Sequence, residues 1–184
     1  PPPPLLSESD SCSPPPPPSP PPPPLLPPSP PPPRPPPPSA PPPHAARDGV
    51  VGDNIIMANN ATIAGHVHIG DGAILGGYTT VHQFCHIGSF AMSAANSAVF
   101  KDIPAFVMVG GNPASAHGMN FEGMRRRGYS AELISALRRA YKVVYRQGLT
   151  TAQAMAELAE TAEQFPEVAL YCTSISESTR GITR

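Results

Sequence analysis

Tryptophan is absent from these 184 residues, cysteine occurs three times, and only 14% of positions are charged. Cys12, Cys85 and Cys172 show neither paired spacing nor a zinc pattern, so no disulfide framework is expected and a reducing compartment fits. A formal net charge of −1 excludes a chain that coats nucleic acid through its overall charge. No apolar run approaches the roughly 18 residues of a membrane-crossing helix, and Leu5–Leu6 is too short for a signal-peptide core. The first residue is proline rather than methionine, which reads as a fragment.

Proline is what the chain has in excess. All but three of its 30 prolines fall within the first 43 residues; the exceptions are Pro104, Pro113 and Pro166. Proline fixes φ and donates no backbone hydrogen bond, so residues 1–46 are expected to be a disordered, polyproline-II-like tract outside any core. Arg34 is its one basic residue, and the flanking Ser29 and Ala40 break both proline-ligand spacings that an SH3-like domain reads. A spacer or a wrongly joined segment fits the tract better than a binding motif.

From residue 51 the sequence repeats every six residues. Val51, Met57, Ile63, Ile69, Leu75, Val81, Ile87, Ser93 and Val99 are apolar in all but one case. Glycine or alanine often follows, as at Gly52, Ala58, Ala64, Gly70, Gly76, Gly88 and Ala94. Small or medium residues stand two places before, from Ala61 and Val67 to Ser97. Neither an α-helix nor an alternating strand has a period of six. A left-handed parallel β-helix of hexapeptide repeats does, with three short sides per coil and the apolar site pointing inward. It is expected over residues 47–116, ending near Lys101–Pro104 with a turn-rich exit at Gly110–Ala114.

Residues 117–184 read as a helical bundle, which makes the chain α+β. A short helix is expected over Asn120–Arg127, closed by Gly128. Ser130 caps a second, with a stripe of Leu133, Leu137, Tyr141 and Val144 and with Ile134 and Tyr145 alongside. Gly148 ends it. Thr150 and Gln153 form a capping box for a third, with Met155, Leu158, Ala162 and Phe165 on one face. Pro166 stops that helix and opens a fourth.

Seven of the twelve Lys/Arg residues lie within 125–146. Arg125, Arg138, Arg139, Lys142 and Arg146 suit a docking patch for an anionic partner such as an acidic carrier protein, and a plainly solvated helix face is the alternative. The patch lacks interleaved aromatics, so nucleic acid is not expected. His44, His66, His68, His82 and His86 gather in or beside the repeat. His66 and His82 are 16 residues apart, close to one 18-residue coil, so they could face one another on neighbouring coils. Such a pair suits a histidine base that deprotonates a sugar hydroxyl for attack on a thioester. The other chemistry is zinc held between chains, but no partner ligand set accompanies it, so no metal is expected.

Several stretches resemble the acyl-carrier-protein-dependent UDP-N-acetylglucosamine O-acyltransferases of lipid A biosynthesis. They are Val51–Asn54, Asn59–Val67, Val81–Cys85, Asn120–Gly128 and Ser178–Arg184. The likeness covers about His44 to Arg184 and matches only the C-terminal half of that family. It implies a cytoplasmic homotrimer with active sites between subunits. Such an enzyme moves a 3-hydroxyacyl chain from acyl carrier protein to the 3-hydroxyl of the UDP-sugar, using the carrier thioester as donor and no cofactor. By the same resemblance Gly65 offers an oxyanion-binding backbone N–H, while His66, His82 and Gln83 line the sugar and acyl site. Asn120, Glu122 and Arg126 hold the uridine and diphosphate, with Arg127 an adjacent candidate, and Ala95 stands where acyl length is measured. The family's H-x-A-H-D motif reads His44–Ala45–Ala46–Arg47–Asp48 here. His44 matches the first histidine, while Arg47 occupies the position of the catalytic base and cannot accept a proton at ordinary pH. With the earlier coils also unmatched, the expectation is an inactive chain; the alternative is a non-catalytic binding remnant.

Overall fold

The computed structural model describes residues 48–184 and a two-residue strand at His44–Ala45. The proline tract and Arg47 lie outside the described residues. Ten two-residue strands follow one another about every six residues: β1 (His44–Ala45), β2 (Val50–Val51), β3 (Ile56–Met57), β4 (Thr62–Ile63), β5 (His68–Ile69), β6 (Ile74–Leu75), β7 (Thr80–Val81), β8 (His86–Ile87), β9 (Met92–Ser93) and β10 (Ala98–Val99). Strands three apart pair in parallel, as in Thr62↔Thr80 and Ile74↔Met92. They form three sheets, β1-β4-β7-β10, β2-β5-β8 and a third that contains β3-β6-β9. This is the expected parallel β-helix.

Its interior takes two residues per side. Ile63, Ile69, Leu75, Val81, Ile87 and Val99 are buried, and so are Ala61, Val67, Ala73, Cys85 and Ala91 two places earlier. Val51 stands at the rim, 48% exposed. Ser93, the one polar exception, is fully buried with Thr79; their hydroxyls lie 2.9 Å apart, and Thr79 also donates to the Ala94 carbonyl. The small residue after the apolar site is set by the next coil. A Cβ at Gly70 would come within 2.6 Å of the Ser89 nitrogen, and one at Gly88 within 2.3 Å of the Ala105 nitrogen.

Each corner is turned by one residue at positive φ. Asp48, Asn54, Asn60, His66, Gly72, Tyr78, Phe84, Phe90 and Asn96 all lie between 54° and 64°. From Gly72 onward the geometry aims each corner N–H at the previous coil, as from Tyr78 to the Asn59 carbonyl and from Phe90 to Asp71.

The parallel stack continues beyond Pro104, where the six-residue spacing has stopped. Ile103 bridges Ile87, and β11 (Val107–Gly110) pairs with β9. β11 then folds back antiparallel onto β12 (Ser115–Met119), so the turn-rich Gly110–Ala114 stretch lies within a hairpin. The helices follow as α1 (Phe121–Arg126), α2 (Ala131–Arg146), α3 (Thr151–Gln164) and α4 (Pro166–Ser176). Ser130 accepts from the Leu133 N–H, and Thr150 with Gln153 forms the full capping box. The α2 stripe is buried, whereas α3 buries only Ala154 and Leu158.

The tail is tied to the coil by one carboxylate. Asp102 is 1% exposed. It accepts from the His86 N–H at 2.8 Å, the Ser178 hydroxyl at 2.7 Å and the Thr179 and Arg180 N–H groups at 3.1 and 3.2 Å. Its backbone pairs with the Gly181–Thr183 segment.

Two expectations follow. Asp102→Ala removes the buried acceptor of four part-buried or exposed donors and should cost about 1–3 kcal/mol in urea unfolding; a change below about 0.5 kcal/mol would show that the latch contributes nothing. Burial, with the Asp102 charge nearby, raises the Cys85 thiol to about 11. An acid whose folded pKa is raised stabilises the fold below its unfolded value and loses that contribution as pH climbs. Stability should therefore fall between about pH 9 and 11, and less steeply in Cys85→Ala. Equal slopes in the two proteins would contradict the assignment.

Candidate functional site

The loops joining β4 to β5 and β7 to β8 turn the same corner one coil apart. They bring together Gly65, His66, His82 and Gln83. The Gly65 carbonyl accepts from the Phe84 N–H at 3.2 Å. His66 is exposed, with φ 58°, and its ring lies flat on Phe84, centroids 4.8 Å apart and planes 1° from parallel. His82 Nδ1 lies 3.1 Å from the Gln83 carbonyl oxygen, which fits a ring carrying its proton on Nδ1 and leaving Nε2 free to accept. The His82 ring leans on Phe100 at 6.0 Å. Phe84 and Phe100 remain half exposed and give the corner an apolar rim. Sequence reading missed both; the available signal was spacing, since each stands 18 residues after the histidine it contacts.

α1 lies at the next corner. Asn120 caps it, accepting from the Gly123 N–H at 2.9 Å, while its own N–H donates to the Phe106 carbonyl at 2.8 Å. Its side-chain Nδ2 is buried and has no hydrogen-bond partner among the described residues. Glu122 pairs with Arg125 at 3.3 Å on the surface, a contact of little energetic weight. Arg126 is exposed. The Arg127 guanidinium sits 4.7 Å over the Phe90 ring, and its Nη2 donates to the Gly72 carbonyl at 3.1 Å.

Ala95 is exposed at the third corner, beside Asn96 and packed over Gly76. One chain therefore distributes the three groups of expected site residues over three corners and does not assemble them. His44 is placed only through β1, whose backbone registers with Thr62 and Ile63. His68 and His86 face one another at 4.8 Å on the β5–β8 face, away from the Gly65 corner, and His117 is exposed on β12.

The basic patch runs from α1 along α2. Arg125 and Arg138 wall a cleft of about 380 Å³ with Tyr129, Ile134 and Ser135. Arg138 also stacks on Phe121 at 4.7 Å, and Arg139 donates to the Ser135 hydroxyl at 3.3 Å. Lys142 and Arg139 share a second cleft with Glu157 of α3, and Arg146 stands beside Tyr145 and Arg184. Among the described residues no group of three His, Cys, Asp or Glu side chains could hold a metal ion, and no helix is long and apolar enough to cross a membrane.

Residues 102–183 match the family profile described as UDP N-acetylglucosamine O-acyltransferase, domain 2. Over 141 residues the chain is 63% identical to the acyl-[acyl-carrier-protein]–UDP-N-acetylglucosamine O-acyltransferase of Pseudomonas savastanoi pv. phaseolicola, an alignment covering 77% of this chain and 55% of that protein. LpxA from Acinetobacter baumannii superposes with a TM-score of 0.76 at 49% identity, covering 77% of this chain and 55% of that one. The UDP-N-acetylglucosamine O-acyltransferase (LpxA) from Moraxella catarrhalis gives 0.73 at 48%, covering 74% and 53%. The chain thus spans about half the length of the relatives it matches.

Phe84 should act as the seat of the His66 ring. In Phe84→Leu the His66 ring protons lose ring-current shielding and their NMR signals move downfield, while Phe100→Leu moves those of His82 instead. His66 signals that stay put in Phe84→Leu would mean that the two rings are not stacked in solution.

Proposed function

The C-terminal region of this chain belongs to the UDP-N-acetylglucosamine O-acyltransferase family, and from that premise we propose that residues 44–184 form part of an acyl-transfer site built between copies of the chain. The observation that carries this reading is the three-corner distribution. Gly65, His66, His82 and Gln83 stand at one corner, the residues of α1 at the next and Ala95 at the third, so only neighbouring copies can bring them to one cleft. A homotrimer of three-sided prisms supplies that arrangement.

The donor is a 3-hydroxyacyl thioester of acyl carrier protein and the acceptor is the 3-hydroxyl of UDP-N-acetylglucosamine, the first step of lipid A synthesis in the cytoplasm. A base takes the hydroxyl proton, the oxygen attacks the thioester carbon, and the new C–O bond forms as the oxyanion develops. By the family likeness the Gly65 N–H is the donor that receives that oxyanion. The C–S bond then breaks, and the protonated base returns its proton to the departing thiolate. No cofactor enters these steps. Asn120, Glu122 and Arg126 hold the nucleotide, and the buried unpaired Nδ2 of Asn120 is a donor in want of an acceptor. Ala95, larger than glycine, shortens the acyl groove. Arg125, Arg138, Arg139, Lys142 and Arg146 receive the acidic carrier protein.

Arg47 stands where this scheme needs its base, and a guanidinium stays protonated. The chain is accordingly a binding module: it retains nucleotide and carrier surfaces and lacks turnover. Three measurements test this. Sedimentation should give a trimer, and UDP-N-acetylglucosamine should bind to it. Acyl transfer should be negligible in the chain as it stands and should rise roughly 10²–10⁴-fold in Arg47→His. Equal rates for the two proteins would overturn the assignment of that position.

A further inference from the structure

We propose that Arg127 is a positioning residue. Together with Gly72 and Phe90 it forms a clamp that fixes α1 against the β-helix, and it does not itself bind phosphate. The functional consequence rests on the reading of α1 as the nucleotide-holding segment.

Three aromatic rings gather at the corner between the β5–β8 and β6–β9 sides. Phe90 stacks on Phe106 at 5.3 Å, and Tyr129 meets both edge-on at 6.4 and 6.2 Å. Arg127, the residue that closes α1, lays its guanidinium over Phe90. The same guanidinium reaches the Gly72 carbonyl. Gly72 turns the corner one coil before Phe90, at φ 64°. A Cβ there would lie 2.7 Å from the Phe90 ring and 3.1 Å from Arg127 Nη2. The lack of a side chain at 72 is thus what admits the arginine.

The other end of α1 is tied to the same corner, because the Asn120 N–H donates to the Phe106 carbonyl. A six-residue helix has little stability alone, and α1 buries only Met124. These two ties add to the burial of Met124 and the packing of Phe121 in fixing its position. Glu122 and Arg126 lie between them and Asn120 makes the first tie itself, so the placement of Glu122 and Arg126 is set by contacts in which they take no part. Arginine suits the task because its flat, weakly hydrated cation stacks on a ring while its edge donates to a carbonyl. Lysine cannot do both.

The test compares Arg127→Lys, Arg127→Met and Phe90→Leu in the full chain. UDP-N-acetylglucosamine affinity is measured by calorimetry and amide hydrogen exchange is followed without ligand. The clamp predicts that all three weaken nucleotide binding by about 3- to 30-fold. It also predicts that Arg127→Met with Phe90→Leu costs little more than either alone. A direct phosphate contact predicts rescue by lysine and an affinity in Phe90→Leu within about twofold of the parent; that result overturns the proposal. Exchange decides independently. Amides 124–129 should exchange faster in every variant while those of Leu133–Tyr145 stay protected, which also shows that the variants are folded. Unchanged exchange at 124–129 sinks the clamp whether or not nucleotide binds. Absence of nucleotide binding by the parent chain would instead count against the functional reading of α1 and leave the exchange result to judge the clamp.

Discussion

A three-sided coil with six residues to a side closes only if the chain reverses its course at every sixth position. Here each reversal is made by one residue in the left-handed region, nine times from Asp48 to Asn96. That conformation costs a residue with a Cβ about 1–2 kcal/mol. Asp48, Asn54, Asn60, Gly72 and Asn96 are types that tolerate it. His66 is of an enriched type too, whereas Tyr78, Phe84 and Phe90 are not, and two of these three return the cost by stacking: Phe84 on His66, and Phe90 under Phe106 and Arg127. The corner amides from Gly72 to Asn96 gain in turn, since each is aimed at a carbonyl of the coil before. Strain and hydrogen bonding are two consequences of one dihedral angle.

The same constraint explains what could be read in the sequence. A six-residue period leaves a mark at the apolar site, because the interior admits only two side chains per side. It marks the following residue at the glycine positions too, because at Gly70, Gly76 and Gly88 the next coil would come within 2.3–2.6 Å of a Cβ. Helix ends were equally legible, since Ser130 and the Thr150–Gln153 pair act on amides three residues away. The corner itself left no uniform mark, because asparagine and aromatic residues solve it differently. The β11–β12 hairpin was also hidden: β11 docks on β9 across sixteen residues, and no local pattern announces that pairing. Ser93 looked like a lapse in the repeat until Thr79, fourteen residues earlier, supplied its partner. In the site, Gly65 and the two histidines followed from motif and coil spacing. Phe84, Phe100 and the seat of Arg127 did not, because each is defined by a neighbour a full coil or more away.

Distribution of the site over corners follows from the prism shape. A solid prism has no interior cleft, since its core is filled by paired side chains down to Ala61, Ala73 and Ala91. Any pocket must lie outside, against a face or corner, and one convex corner encloses nothing. On the proposed reading, chemistry that needs several groups around one substrate would draw on corners of different copies, and symmetry would let a single set of residues serve every cleft.

Asp102 shows how the repeat stops. It stands 18 residues after Phe84 and 36 after His66, where a further corner residue at positive φ would continue the column. Instead its backbone pairs with the Gly181–Thr183 tail, and its carboxylate gathers donors from Ser178, Thr179 and Arg180 on one side and His86 on the other. An ionised carboxylate accepts hydrogen bonds and offers none, so it suits a site where only donors converge. The residue at which the six-residue spacing gives way is thus also the one on which the C-terminus docks, although the parallel stack runs on through Ile103 and β11, and the helices that follow are held at both ends of their run.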